Sequence, residues 1–139
     1  MTPDQFENVF AALSQRTRGG RWAPNTDVFV DEDCGQVIVK VELAEADLDR
    51  LHVGVDERYL FIGGRRTEAT RFARGSFLQK EIEYGDFLKK IHLPVGIQRE
   101  NVSATYGAGM LTIRLPIAAA EHLPATRTEI RMIVKRTLA

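Results

Sequence analysis

The chain has 139 residues, 44% of them hydrophobic, enough for one domain with a single core and modest tails. Its 19 basic and 19 acidic residues cancel, which argues against a nucleic-acid or membrane-surface binder. No apolar run approaches the roughly 20 residues that span a bilayer, and no basic-then-apolar leader opens the sequence; with a lone cysteine, Cys34, excluding an internal disulfide framework, a cytoplasmic setting is expected.

Residues 1–21 predict an N-terminal arm built on an amphipathic helix. Thr2 suits the N-cap, Pro3 the first helical position, and Gln5 completes a capping box. Phe6, Val9, Phe10 and Leu13 fall at i, i+3, i+4 and i+7, one apolar stripe. Arg16 and Arg18 favour the C-terminal end of the helix dipole, and Gly19-Gly20 stops the helix.

From Trp22 to Pro116 the period changes to two. TDVFV (26–30) reads as a strand, DEDCG (31–35) as an acidic turn, and QVIVKVEL (36–43) places Val37, Val39 and Val41 on one face. Leu51, Val53 and Val55 alternate next, followed by Leu60 and Ile62 in YLFIGG (59–64). A polar excursion, TEATRFARGS (67–76), precedes a long predicted strand over 77–94 with a bulge or bend at Gly85. Val102-Ala104-Tyr106 and Leu111-Ile113-Leu115 then form a hairpin reversed by Gly107 and Gly109 and closed by Pro116. Many short strands separated by turns indicate an all-β antiparallel sandwich. Residues 117–139 form an extended tail whose apolar cluster, EIRMIVKR (129–136), lies beyond the domain and calls for a partner surface.

Chemistry is sparse. There is no phosphate-binding glycine loop and no nucleophile elbow, and His52, His92 and His122 are too scattered to suggest a zinc site. Asp31, Asp33 and Glu42 stand at positions 1, 3 and 12 of a possible calcium loop, but Gly35 is one place early and Val37–Val41 alternate like a strand. A solvated hairpin is the better reading. Acidic neighbours disfavour the Cys34 thiolate, so redox sensing is not expected. Arg65, Arg66, Arg71 and Arg74 lack the paired aromatics of an RNA platform. No catalytic, cofactor-binding or metal-ligating set is assigned, and the protein is not expected to be an enzyme.

Residues 22–116 resemble the α-crystallin domain of small heat-shock proteins, the Hsp20 family. Trp22-Ala-Pro24-Asn-Thr-Asp27-Val28 is similar to the family's opening W-x-P-x-x-D-V/I. Leu60, Ile62, Gly64 and Arg66 follow its L-x-I-x-G-x-R pattern, and Tyr84-Gly85-Asp86-Phe87 running to Leu93-Pro94 its Y-G-x-F…L-P strand. Ala104, Gly109, Leu111, Ile113 and Pro116 fill the signature A-x-x-x-n-G-v-L-t-I-x-l-P. Two departures stand out: Ala44-Glu45 replaces the usual Pro-Gly, and Lys89 stands where an arginine is usual.

The resemblance implies an immunoglobulin-like antiparallel β-sandwich that forms homodimers and larger assemblies, with the 67–76 excursion reaching a partner subunit. Arg71, Phe72, Phe77, Glu81 and Lys89 are the implied dimer contacts. The tail's anchor, Ile130, Met132 and Val134 in one of two registers, is implied to dock in a neighbour's groove lined by Leu51, Val53, Val55, Val102, Ala104 and Tyr106. The expected function is ATP-independent holding of unfolding client proteins, with Phe6, Val9, Phe10 and Leu13 as the client-binding and assembly arm; that stripe packing on its own or a neighbouring sandwich is the plainer alternative. A second reading is a CS-type co-chaperone adaptor that recruits one specific partner. No cofactor, nucleic acid or membrane partner is expected.

Overall fold

The structure, a computed structural model, describes residues 22–68, 74–118, 128–130 and 132–134. The arm residues Phe6, Val9, Phe10 and Leu13 and the excursion residues Arg71 and Phe72 lie outside these.

Two sheets face each other. The larger holds β1 (Thr26–Asp31), β2 (Gln36–Glu42), β7 (Met110–Pro116), β6 (Ser103–Gly107) and β9 (Met132–Val134), in that order across the sheet. The smaller runs β5 (Gly85–His92), β4 (Tyr59–Arg66), β3 (His52–Val55) and β8 (Thr128–Glu129). Among the described residues the pairings between named strands are antiparallel except β6 with β9, and Trp22 makes a further parallel bridge to Phe87.

Alternation sets the core. Val37, Val39 and Val41 of β2, Leu111, Ile113 and Leu115 of β7, and Leu60 and Ile62 of β4 are all fully buried and belong to one cluster with Val53, Val55, Phe87 and Ala104. A side-chain period of two makes that register hard to slip, because one residue's shift would send every valine of β2 to the outside. The larger sheet extends past the smaller one at β1. There Val28 and Val30 pair with Val39 and Val37 on the same face, yet remain 45% and 41% exposed. Phe29, on the opposite face, is 62% exposed.

Two expectations need correction. The strand predicted over 77–94 begins only at Gly85, whose φ of 97° turns the chain into the sheet. Residues 77–84 are outside any strand, with Phe77, Leu78 and Ile82 exposed, because β4 ends at Arg66 opposite Gly85 and does not run on alongside them. The hairpin reversal is made by Ala108 and Gly109 at φ 51° and 75°, while Gly107 is still paired with Met110. Two successive left-handed residues form the tight turn that matches the twist of paired strands, and one of them here is an alanine.

The family-pattern residues have structural work. A Cβ on Gly64 would come within 2.9 Å of both the Arg50 carbonyl oxygen and the Phe87 ring, so glycine lets β4 pass there. Arg66 lies over the Trp22 ring at 4.3 Å and donates to the Glu83 carbonyl through Nε (2.9 Å) and Nη2 (2.6 Å) and to the Ala44 carbonyl through Nη1. One planar cation thus ties the domain's first residue to the turn after β2 and to the loop entering β5. In that turn Glu45 occupies φ 57°, a left-handed position that costs a side-chain-bearing residue energy.

Candidate functional site

The side of the sandwich where β3 and β6 meet the tail strands β8 and β9, which form the outer edges of the two sheets, is the candidate site. Leu51, Val53 and Val55 line the inner face on one side and Ala104 on the other, all buried, with Val102 and Tyr106 half-buried beside them. The Tyr106 hydroxyl donates to the Leu43 carbonyl at 2.7 Å, which fixes the ring at the hairpin end of β6.

Across this opening lies the tail of the same chain. Glu129 and Thr128 pair with Gly54 and Val55, extending the smaller sheet. The Ile130 N–H donates to the Val53 carbonyl at 2.8 Å, and Ile130, 6% exposed, joins the core cluster. Met132, Ile133 and Val134 then run parallel to Ala104, Thr105 and Tyr106, extending the larger sheet. The tail therefore crosses from one sheet edge to the other at Ile130. Each edge carries unpaired backbone donors and acceptors that an extended segment can satisfy, while the apolar slot between them takes a branched side chain. Nine residues, 119–127, join Ala118 to Thr128; fully extended they reach about 30 Å, ample to come back to their own sandwich.

The implied dimer contacts fall elsewhere. Phe77 and Glu81 are exposed in the segment before β5, with the Lys80 ammonium 4.6 Å from the Phe77 ring centre. Lys89 is half-buried on β5, an edge strand, paired with Ile62 and on the same face as Phe87 and Ile91. The structure does not bring Phe77, Glu81 or Lys89 to the tail's opening. The sequence shows β1 as a strand but not its exposed apolar surface, because its alternation is that of any half-buried strand and its exposure depends on the shorter sheet opposite.

The acidic turn is a hairpin loop. The Asp31 carboxylate accepts from the backbone N–H groups of Asp33 (3.1 Å) and Cys34 (3.2 Å), and the Cys34 hydrogen bond, first among these, holds its pKa below the ordinary carboxylate value. A hydrogen bond to Asp31, then that residue's charge, raises the pKa of the exposed Cys34 thiol. Among the described residues no group of three His, Cys, Asp or Glu side chains is placed to hold a metal ion, and no helix is long and apolar enough to cross a membrane.

Two facing sheets with an extended segment bridging their open side define a β-sandwich that binds chain at its strand edges. The sequence profile of the Hsp20/alpha crystallin family matches residues 30–132, and the chain belongs to that family, the small heat-shock chaperones. It is 29% identical over 115 residues to small heat shock protein C4 of Rickettsia felis, covering 81% of this chain and 69% of that protein. It is 33% identical over 94 residues to the alpha-crystallin of Mycobacterium tuberculosis, covering 67% and 61%. Among solved structures, heat shock protein 16.0 from Schizosaccharomyces pombe superposes with a TM-score of 0.62 at 26% identity, covering 73% of this chain and 93% of that one. A small heat-shock protein from Xylella fastidiosa, described as having a distinct high order structure, gives 0.61 at 25% identity, covering 74% and 93%.

Proposed function

We propose that this protein is an ATP-independent holdase that captures unfolding proteins through apolar surfaces which it otherwise stores in its own assemblies. The observation that carries the reading is the bridged opening between β3 and β6. A slot that takes an extended apolar segment from the tail is suited to exchange, since a neighbouring chain's tail makes the same contacts by swapping. Ile130, Met132 and Val134 are the anchor of that exchange.

A second surface for assembly is the free edge of β1. Val28, Phe29 and Val30 are exposed there beside unpaired backbone, and an edge of this kind associates unless it is covered. The 67–76 excursion of a second copy is the occupant we assign to it, with Arg71, Phe72, Phe77, Glu81 and Lys89 supporting the contact. Client binding falls to Phe6, Val9, Phe10 and Leu13. Burying one such side chain contributes roughly 1.5–3 kcal/mol, so several together hold a client reversibly without nucleotide.

Light scattering of a heat-labile client, warmed without nucleotide, tests this reading. Suppression near stoichiometric amounts is expected, together with an assembly of two or more chains by multi-angle scattering. Unhindered aggregation at several-fold excess sinks the holdase reading, and a strictly monomeric protein that retains one tight partner would favour the adaptor.

A further inference from the structure

We propose that the outer face of the β1–β2 pair is a self-complementary contact between two copies of this chain, each seating its Phe29 over Ile38 of the other. The contact stands on the geometry below and not on the holdase reading, and it leaves the backbone edge of β1 free.

The valines of β1 and β2 point inward, so the residues between them form the outer face. There Asp27 stands opposite Lys40, Phe29 opposite Ile38, and Asp31 opposite Gln36. One strand further on, Thr112 adjoins Lys40 and Arg114 adjoins Ile38. A hollow of about 610 Å³ opens here, lined by Thr26, Asp27, Val28, Phe29, Ile38 and Lys40. Phe29 is 62% exposed, and neither it nor Ile38 belongs to a core cluster. Asp27 and Lys40 are both exposed and, although directly opposite, form no ion pair among the described residues. The outer face of a sheet in water ordinarily carries polar side chains, so an apolar pair between separated charges needs an explanation.

The charges are sorted by strand. Acidic Asp27 and Asp31 lie on β1, basic Lys40 on β2 and basic Arg114 on β7. A two-fold axis parallel to the strands and midway between β1 and β2 lays β1 of each copy over β2 of the other. Asp27 then meets Lys40, Phe29 meets Ile38 and Asp31 meets Gln36, each of them twice. Glu42, the next outward residue of β2, meets Asn25, so no carboxylate opposes another. Such matching of one patch with itself is the condition for a closed two-fold contact. Facing sheets pack about 10 Å apart, a gap that an aspartate and a lysine stem span together. Their strands stay within about 30° of one another, which holds register over three outward positions. Burial of the two Phe29–Ile38 pairs supplies the affinity, while the exposed ion pairs fix orientation and register. An unfolding segment of arbitrary sequence has no matching columns of charge; a second copy always has them.

Charge reversal in the full-length chain, read by multi-angle scattering at low ionic strength, provides the test. Asp27→Lys alone sets cation against cation across the axis, and Lys40→Asp alone sets carboxylate against carboxylate. Each variant, confirmed as folded by circular dichroism, is expected to weaken the contact about ten-fold or more. Its particles should have about half the parental mass. Mixing the two variants in equal amounts restores both ion pairs, and the parental mass is expected to return. Single variants that keep the parental mass, or a mixture as dissociated as either alone, overturn the proposal. A parent chain that is a single protomer at every concentration overturns it too. If a variant fails to fold, the unsubstituted protein still decides: nitrogen-15-labelled and unlabelled chains, unfolded and refolded together, are treated with a carbodiimide. Coupling of Asp27 to Lys40 between labelled and unlabelled chains is expected, and coupling confined to one isotopic chain overturns the contact. Phe29→Ser that lowers client protection while leaving the mass unchanged would assign the hollow to clients instead, and also overturns it.

Discussion

β1 and β2 are paired residue for residue, and their inward valines alternate identically, but their fates differ. Val37 and Val39 are fully buried, whereas their partners Val30 and Val28 remain nearly half exposed. The five-stranded sheet faces a four-stranded one, so among the described residues no second layer covers the outermost strand. Burial, and with it the energetic worth of a valine, is decided by what lies opposite rather than by the strand that carries it. Among the described residues one edge of the larger sheet is covered by tail strand β9 and the other is left apolar and open, which is why the proposal assigns assembly to β1.

The sharpest break of this comparison is a matched pair of substitutions. Ile113→Ala, at the centre of β7 between Val39 and Ala104, should destabilise the fold by about 3 kcal/mol through lost burial and the cavity left behind, read as a lower urea midpoint. Val28→Asp should leave that midpoint within about 0.5 kcal/mol for the dissociated chain, yet shift the assembly toward single chains in multi-angle scattering. A Val28→Asp chain that assembles like the parent would remove β1 from the interface.

Gly64→Ala should cost about 1–3 kcal/mol, because the backbone carbonyl of Arg50 cannot move aside as a side chain can. Opposite in sign, Glu45→Gly should stabilise the fold by about 0.5–1 kcal/mol, read as a higher unfolding midpoint, as relief of the left-handed strain at φ 57° outweighs glycine's greater entropy loss. No gain on thermal unfolding would mean that Glu45 makes a compensating interaction in its turn.

The smallest effect lies in the exposed β1–β2 turn. Asp31→Asn should speed alkylation of Cys34 at neutral pH several-fold, on the order of what removing one adjacent charge does to a thiol. Because the folded-state pKa of Asp31 is depressed, its stabilising contribution is present above the unfolded carboxylate value and disappears as pH falls through the folded value. A mild loosening of this turn below about pH 4, seen by amide exchange, is the expected signature.

Much of this was legible in the chain itself. The alternations at Val37–Val41, Leu60–Ile62 and Leu111–Leu115 identify core faces because a strand's side chains have a period of two whatever they pack against. Residues 77–84 were misread as strand for the same reason: Phe77 and Ile82 have the composition of a strand, but pairing needs a neighbour, and β4 stops at Arg66. The sequence alone also pointed to Gly109 and the family pattern, but not to Ala108, since a two-residue reversal within Gly-Ala-Gly has more than one possible register.

The tail marks the same boundary. Its apolar cluster announced that a partner surface was needed, and the groove strands could be named from the family resemblance. Only the assembled sandwich placed Ile130 between the edges of β3 and β6 of its own chain, with antiparallel pairing on one side and parallel on the other. Local alternation and turn chemistry are properties of a few consecutive residues and can be read from them. Which faces are covered, which edges stay open and where a distant segment returns depend on residues far apart in the chain, and these the tertiary structure decided.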